Sequence, residues 1–342
     1  MLRRVRKLKS GKIWIGYYYD GRDLSTGKRL EIPLGVDLDV AKSEWAKLDR
    51  KPVPKIVRHM NHLFDRYERD VIPNKKQSTQ RENLLALKQL RNAFGDAPIE
   101  AITPQAIAQY RDARTAKVRA NREIALLSHI YNMAREWGVT AMVNPATGVR
   151  KNKEVPRDFY ATPEIWDAVY SKAVPELRDA MDLAYLTGQR PSDVLRMRVA
   201  DVTDGFLLVA QGKTSKKLKI RLMAGEALNG LGQLIARLLE AHRARGVISP
   251  YLIVTESGRH LTKVMLRHRF DDAREAAVSK ALANRDSALA GSIRSFQFRD
   301  IRPKAASEID DLADASRLLG HSDRRITETV YRRVGEIVKP TR

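Results

Sequence analysis

Leu183-Ala184-Tyr185-Leu186-Thr187-Gly188-Gln189-Arg190-Pro191-Ser192-Asp193-Val194-Leu195 contains a helix end and a helix start a few residues apart. The apolar run closes at Thr187-Gly188. Pro191-Ser192-Asp193 is a first-turn pattern, because proline needs no N–H there and presets φ. Arg190 is thereby placed at a helix N-terminus, where free N–H groups and the dipole favour an anion. A surface salt bridge is the ordinary fate of one such arginine, so the reading depends on what accompanies it. Downstream, Gly205 to Val209 and Leu218 to Leu222 read as two strands, and the second alternates cleanly. Between them runs the turn Gln211-Gly212-Lys213-Thr214-Ser215-Lys216-Lys217. Lys213 lies where the first strand meets this turn, although three lysines also suit a solvated turn.

Two more stretches follow. Phe298-Arg299-Asp300-Ile301-Arg302-Pro303-Lys304-Ala305-Ala306-Ser307 leads into a helix, and Pro303 restricts where that helix can begin. Leu318-Leu319-Gly320-His321-Ser322 precedes Tyr331, which is flanked by Arg324, Arg325, Arg332 and Arg333. No other tyrosine lies beyond Tyr251. Taken alone, Tyr331 packs one face of a C-terminal helix and turns its hydroxyl to water. Among these cations it is the oxygen nucleophile if the chain does covalent chemistry on a phosphate. Leu261-Thr262 to Ala276 reads as a helix, and Asn284 to Ser292, small and polar, as a loop.

Toward the N-terminus, residues Leu2 to Lys12 carry six basic side chains and no acid. A solvated tail and a basic arm on DNA are the two readings. Ile13 to Tyr19 is aromatic and β-branched, hence strand. Leu30, Ile32 and Leu34 alternate with polar or turn residues, hence a half-buried strand. Asp39 to Leu48 reads as a short helix. Lys51-Pro52-Val53-Pro54 is a linker. From Lys55 to Trp137 the pattern is helical. Val57, Met60, Phe64 and Tyr67 mark one helix, and Leu84, Leu87, Leu90 and Phe94 a second that ends at Gly95. Thr103-Pro104 starts a third, and Ile124, Leu127, Ile130, Tyr131 and Ala134 mark a fourth. Asn144-Pro145 closes the set. Gly148 to Arg157 is a basic linker, and a last domain begins near Asp158.

The chain has 342 residues, enough for two or three domains. Its 63 Lys+Arg against 41 Asp+Glu give a net charge of +22, which attracts a polyanion. No apolar run is long enough to span a bilayer, so a membrane partner is not expected. No signal peptide is evident, which fits a cytoplasmic protein. With no cysteine, disulfides, thiolate catalysis and cysteine zinc sites are excluded. His59 and His62 are close in sequence without a third ligand, so no metal is expected. There is no Gly-rich loop ending in Lys-Ser/Thr, so ATP use is unsupported and no cofactor is implied. A metal nuclease would need clustered carboxylates, and none is evident.

The Tyr185–Leu195 stretch resembles the first-arginine motif of the tyrosine recombinases, with Asp193 where that family carries a supporting carboxylate. Arg302 takes the second-arginine position of the His-x-x-Arg box, but Arg299 stands where the family usually has histidine. Arginine stays charged and cannot accept a proton. Leu318 to Ser322 matches the Leu-Gly-His box, and the spacing from His321 to Tyr331 is one residue longer than the familiar pattern. The resemblance, to lambda-type phage integrases in particular, implies a multidomain, mainly α fold. Residues 1–50 would be an arm-type DNA-binding sheet plus helix. Residues 55–146 would be a four-helix, SAM-like core-binding bundle in which Lys75, Lys76 and Arg81 face phosphate or solvent. Residues 158–342 would be a mixed α+β catalytic domain.

The same resemblance implies a site-specific recombinase that integrates or excises a phage or mobile element through a 3′-phosphotyrosine. Arg190 and Arg302 would clamp the phosphate with help from His321, and Arg299 would at most donate to it. Lys213 would protonate the leaving 5′ oxygen, since a lysine among arginines is the stronger acid. Tyr331 would attack. A free phenol of pKa about 10 is only about a thousandth ionised at pH 7, so the pocket has to favour phenolate. The implied partners are double-stranded DNA at attachment sites and a homotetramer on DNA. Docking of the basic tail on a neighbouring protomer, a host DNA-bending protein and an excisionase complete the set, in a bacterial cytoplasm on the nucleoid. A type IB topoisomerase shares such a pocket but lacks a separate arm domain. A DNA-binding accessory protein with a decayed site is the other alternative.

Overall fold

The computed structural model describes residues 1–23, 26–48, 59–331 and 333. The Lys51–Pro54 linker, Val57, Arg332 and the rest of the basic tail beyond Arg333 lie outside the described residues. The chain divides into two units, Met1–Glu154 and Val155–Arg342. Among the described residues no helix is long and apolar enough to cross a membrane.

The first unit opens with an antiparallel sheet, β1 (Leu2–Lys7), β2 (Ile13–Arg22) and β3 (Arg29–Gly35), in that order. The solvated-tail reading of the basic N-terminus is therefore corrected for its first half. Leu2 to Lys7 pairs residue for residue with Tyr18 to Ile13. The aromatic strand β2 has backbone groups to satisfy on both edges, and arginine stems can lie along a sheet while their charged ends stay in water. Helix α1 (Leu38–Leu48) packs on the sheet and buries Ala41, with Leu34 of β3 also buried.

Four helices follow, α2 (Met60–Asp70), α3 (Gln77–Phe94), α4 (Pro104–Ala113) and α5 (Lys117–Glu136). Their apolar stripes meet in a core of Met60, Phe64, Tyr67, Leu87, Leu90, Leu127 and Tyr131. The expected N-cap of α4 is present, with the Thr103 hydroxyl accepting from the Ala106 N–H. Asn144 is buried, and its amide donates to Ser128 and Asn132 on α5.

The second unit holds α6 (Pro163–Tyr170), α7 (Pro175–Thr187) and the single turn α8 (Pro191–Val194). A small sheet β4 (Val202–Thr203), β5 (Phe206–Ala210) and β6 (Lys217–Arg221) comes next, then the ribbon β7 (Met223–Ala224) and β8 (Ala227–Leu228). The rest is helical: α9 (Gly230–Ala244), α10 (Lys263–Ala283), α11 (Ser287–Ser295), α12 (Ile301–Ser307), α13 (Leu312–Leu319) and α14 (Arg324–Ile326). A π-helical turn, Thr327–Tyr331, completes it. The core packs Leu183, Val194, Leu207, Ile235, Phe270, Phe296 and Ile301 together.

Two expectations change here. Helix α10 runs past Ala276 to Ala283, because Leu266, Phe270, Ala273, Ala277 and Ala281 continue one buried stripe. Asn284 to Ser292 is not a loop throughout. Asp286 caps α11 by accepting from the Leu289 N–H, and Ala290 and Ile293 are buried. Small residues hid the helical spacing of Leu289, Ala290 and Ile293.

Candidate active site

Pro303 is tolerated because it falls in the first turn of α12, where its missing N–H costs no helical bond. That turn places Arg302 inside the protein, only 3% exposed. Its guanidinium donates to the Gly188 carbonyl at 2.6 Å and to the Leu319 carbonyl at 2.7 Å. Both carbonyls lie at helix C-termini, α7 and α13, where intrahelical donors run out and the dipole is negative. Each helix ends in a left-handed glycine, Gly188 at φ 61° and Gly320 at φ 68°. A Cβ on Gly320 would stand 2.7 Å from the Gln211 amide nitrogen. Two glycine-terminated helices thus converge on one arginine. The Arg302 Nε is buried without a partner. Burial, then the Arg190 charge, lowers the Arg302 pKa to about 10.

Buried amides join the three motifs. The Gln189 side-chain amide donates to the Leu318 carbonyl at 2.8 Å, and that of Gln211 to Gln189 Oε1 at 2.8 Å and the Leu319 carbonyl at 2.9 Å. Gln211 Oε1 accepts from Thr214 and, at 3.5 Å, from Arg190. Arg190 caps the start of α8, which is one turn long, so its position owes more to these contacts than to a helix dipole. Asp193 is buried between Arg196 and the Gly212 N–H, 4.0 Å from Arg190.

His321 lies against Arg302. Its Nε2 is 3.1 Å from an Arg302 nitrogen, and its Nδ1 is 2.8 Å from the Thr327 hydroxyl. Arginine only donates, so Nε2 accepts and Nδ1 carries the proton. Burial, followed by the charges of Arg302, Arg190 and Lys216, lowers the His321 pKa to about 4. The imidazole is therefore neutral at pH 7. The Tyr331 ring centroid is 4.8 Å from that of His321, and the Arg302 guanidinium carbon is 5.2 Å from the Tyr331 ring. The chain reaches Tyr331 from His321 through a π-helical turn, Thr327–Tyr331, which holds one residue more than an α-turn would.

A cleft of about 580 Å³ opens on this cluster, lined by Arg190, Ser192, Lys263, Arg299, Arg302 and Tyr331 among others. The structure thus brings Arg190, Arg302, His321 and Tyr331 together. Arg299 is exposed at the cleft wall. Lys213 is exposed on the hairpin turn, and among the described residues no hydrogen bond or ion pair ties it to the cluster. Lys216 does reach it, donating to the His321 carbonyl at 3.3 Å. Arg157 also lines the cleft and grips Asp300 through two bonds of 2.8 Å. Sequence reasoning gave no role to Gln189, Gln211, Thr327 or Asp300. Their signal is a polar residue inside or beside an apolar motif, which names no partner. Among the described residues no group of three or more His, Asp or Glu side chains is placed to hold a metal ion.

Residues 153–336 match the family model described as phage integrase family. The integrase of Escherichia phage HK022 is 30% identical over 259 residues, covering 68% of this chain and 70% of that protein. The integrase of Escherichia phage lambda is 30% identical over 222 residues, 59% of this chain. The matched segment spans 62% of the length of the lambda integrase and of the phage 434 integrase. In fold, the chain resembles a lambda integrase dimer bound to a COC′ core site. The TM-score is 0.66 at 22% identity, over 99% of this chain and 97% of that one. It also resembles the Tn1549 transposon integrase in complex with transposon right end DNA. There the TM-score is 0.60 at 14% identity, over 81% and 96% of the two chains. The architecture is that of a multidomain, mainly α integrase. The chain belongs to the phage integrase family.

Proposed function

We propose that this chain is a site-specific DNA recombinase that breaks and rejoins strands through Tyr331, integrating or excising a phage or mobile element. The observation that carries the reading is the convergence of Arg190, Arg302, His321 and Tyr331, from separate segments, on one cationic cleft. Arg190 and Arg302 grip the non-bridging oxygens of a phosphodiester, and preorganised donors of this kind are worth about 10²–10³-fold each. Tyr331 attacks phosphorus, and Lys213, brought in by movement of its exposed turn, protonates the departing 5′ oxygen. The 3′-phosphotyrosine keeps the ester energy, so a 5′ hydroxyl from another duplex reverses the step without ATP or metal.

The partner is double-stranded DNA, in keeping with the net charge of +22. Residues 1–50 are assigned to arm-type sites, 55–146 to the core site and 158–342 to catalysis. A homotetramer carries out strand exchange, by analogy with the lambda integrase tetramer bound to a Holliday junction, whose fold this chain resembles. A host DNA-bending protein and an excisionase assist it on the bacterial nucleoid.

Covalent trapping tests the reading. The protein is incubated, without metal or ATP, with a supercoiled plasmid carrying the DNA that flanks its own gene, then stopped with detergent. Protein migrating with DNA is expected for the parent chain and not for Tyr331→Phe. Recombinant product distinguishes an integrase from an enzyme that only relaxes the plasmid. Failure to trap an adduct, on this plasmid and on a nicked suicide substrate, would sink the proposal.

A further inference from the structure

Tyr331 cannot attack as a phenol and keep its proton, and the residue at position 299 cannot take that proton, because an arginine is a permanent cation. We infer that His321 is the group that receives it. The inference rests on Tyr331 being the nucleophile. The other acceptors of the cleft are poorly placed to serve. Asp300 is buried, both its oxygens are held by Arg157 at 2.8 Å, and one also accepts from the Gln297 N–H. The Ser192 hydroxyl is no base at neutral pH.

His321 has the required form. Its ring stands against that of Tyr331, and both rings share the Arg302 guanidinium. Thr327, fully buried, engages the Nδ1 proton, so the lone pair is fixed on Nε2. In the free protein an Arg302 N–H occupies that lone pair, and burial, followed by the charges of Arg302, Arg190 and Lys216, holds the ring neutral. A phosphodiester leaves the burial in place but changes the occupied lone pair and the cationic part of the field. Its oxygens draw the Arg302 N–H to themselves, and its negative charge offsets the three cations. The basicity of His321 therefore rises as the substrate arrives.

In the cleavage step the Tyr331 O–H bond breaks and its proton bonds to His321 Nε2. The freed oxygen pair forms the bond to phosphorus while the bond from phosphorus to the 5′ oxygen breaks. The leaving oxygen takes a proton from Lys213. Religation runs the same transfers backward and returns His321 to neutral.

The test compares rates of adduct formation on the supercoiled plasmid described above. His321→Gln, Arg299→His and the double variant are measured beside the parent and Tyr331→Phe. In the parent background His321→Gln is expected to slow the reaction about 100-fold or more, the usual worth of a general base. With a histidine supplied by Arg299→His, the same substitution is expected to cost less than about tenfold. Thr327→Val, which leaves the ring in place but removes the partner of Nδ1, is a second probe. About a tenfold loss is expected in the parent background and little change beside Arg299→His. Equal losses in both backgrounds, with an adduct that still requires Tyr331, would overturn this inference alone. An adduct that survives Tyr331→Phe would overturn the proposed function and this inference with it.

Discussion

Arg302 spends three donor contacts inside the protein, on two helix-end carbonyls and one imidazole. Its Nε has no protein partner among the described residues, the Tyr331 hydroxyl is a further hydrogen-bond neighbour of the guanidinium, and a phosphate competes with the imidazole for the third contact. Arg302→Ala should therefore lower adduct formation by about 1,000-fold or more, since such donors act on charge that develops in the transition state. Binding to duplex DNA, followed by gel shift, should change little, because many other cations contact the backbone. Loss of binding in parallel with cleavage would show that Arg302 supports the fold rather than the reaction. The neutral state of His321 has a consequence for stability. Its folded pKa, about 4, lies below that of a free histidine, about 6.5, so in that window the unfolded chain binds a proton that the folded one refuses. Stability contributed at this position is complete above pH 6.5 and is lost as pH falls toward 4. Allowing for the partial exposure of the ring, the loss should be about 1–2 kcal/mol. His129 and His242 are shifted in the same direction, so the comparison has to be with His321→Gln. Urea unfolding at pH 7.5 and pH 4.5 should show the parent losing more stability than the variant. Parallel losses would mean that the imidazole titrates normally in the folded protein.

At the scale of elements, Tyr331 is carried by the π-helical turn Thr327–Tyr331. A π-helical turn adds one residue while leaving its two ends nearly where an α-turn would put them. Deleting Thr329 should therefore restore an α-turn and keep adduct formation within about tenfold of the parent, because Thr327 and Tyr331 hold their places. Adding an alanine after Val330 should abolish it, because a second extra residue has no such outlet. Trapping on the plasmid measures both, and inactivity of the deletion would show that the π-turn itself is required. The same element marks how far the sequence was readable. Periodicity located the four helices of the first unit and the hairpin of the second, because single stripes such as Leu87, Leu90 and Phe94 decide them, although Leu84 on the same helix is exposed. It misjudged α11, whose buried face is made of Ala290 and Ile293 among small polar neighbours. Arg190, Arg302, His321 and Tyr331 stand in motifs that carry the resemblance, and each motif is local. Gln189 and Gln211, which hold them, depend on contacts spanning 22 to 129 residues, which no local pattern contains, while Thr327 lies only six residues from His321.

At the scale of the whole molecule, charge sets the terms of binding. The excess of 22 positive charges is spread over both units. The first carries Arg3, Arg6, Arg81 and Lys88, and the second Lys217, Lys219, Lys263 and Arg299, all exposed. Much of the remaining arginine is already matched, as in the pairs Arg114–Glu123, Arg157–Asp300 and Arg269–Glu176. The unmatched cations are what a polyanion meets. Each phosphate neutralised releases condensed counterions, so affinity falls with salt in proportion to the number of contacts. If both units lie on the duplex, at least about six to ten phosphates are engaged. The association constant for non-specific duplex should then fall about 10³–10⁵-fold between 50 mM and 200 mM salt. Fluorescence anisotropy with a random-sequence duplex across that range gives the slope. Replacing Arg81 and Lys88 together by glutamine should make the slope shallower by about two contacts, without changing the rate at which DNA already bound is cleaved. A slope unchanged by that pair would remove the helical bundle from the DNA and leave binding to the sheet and the catalytic unit.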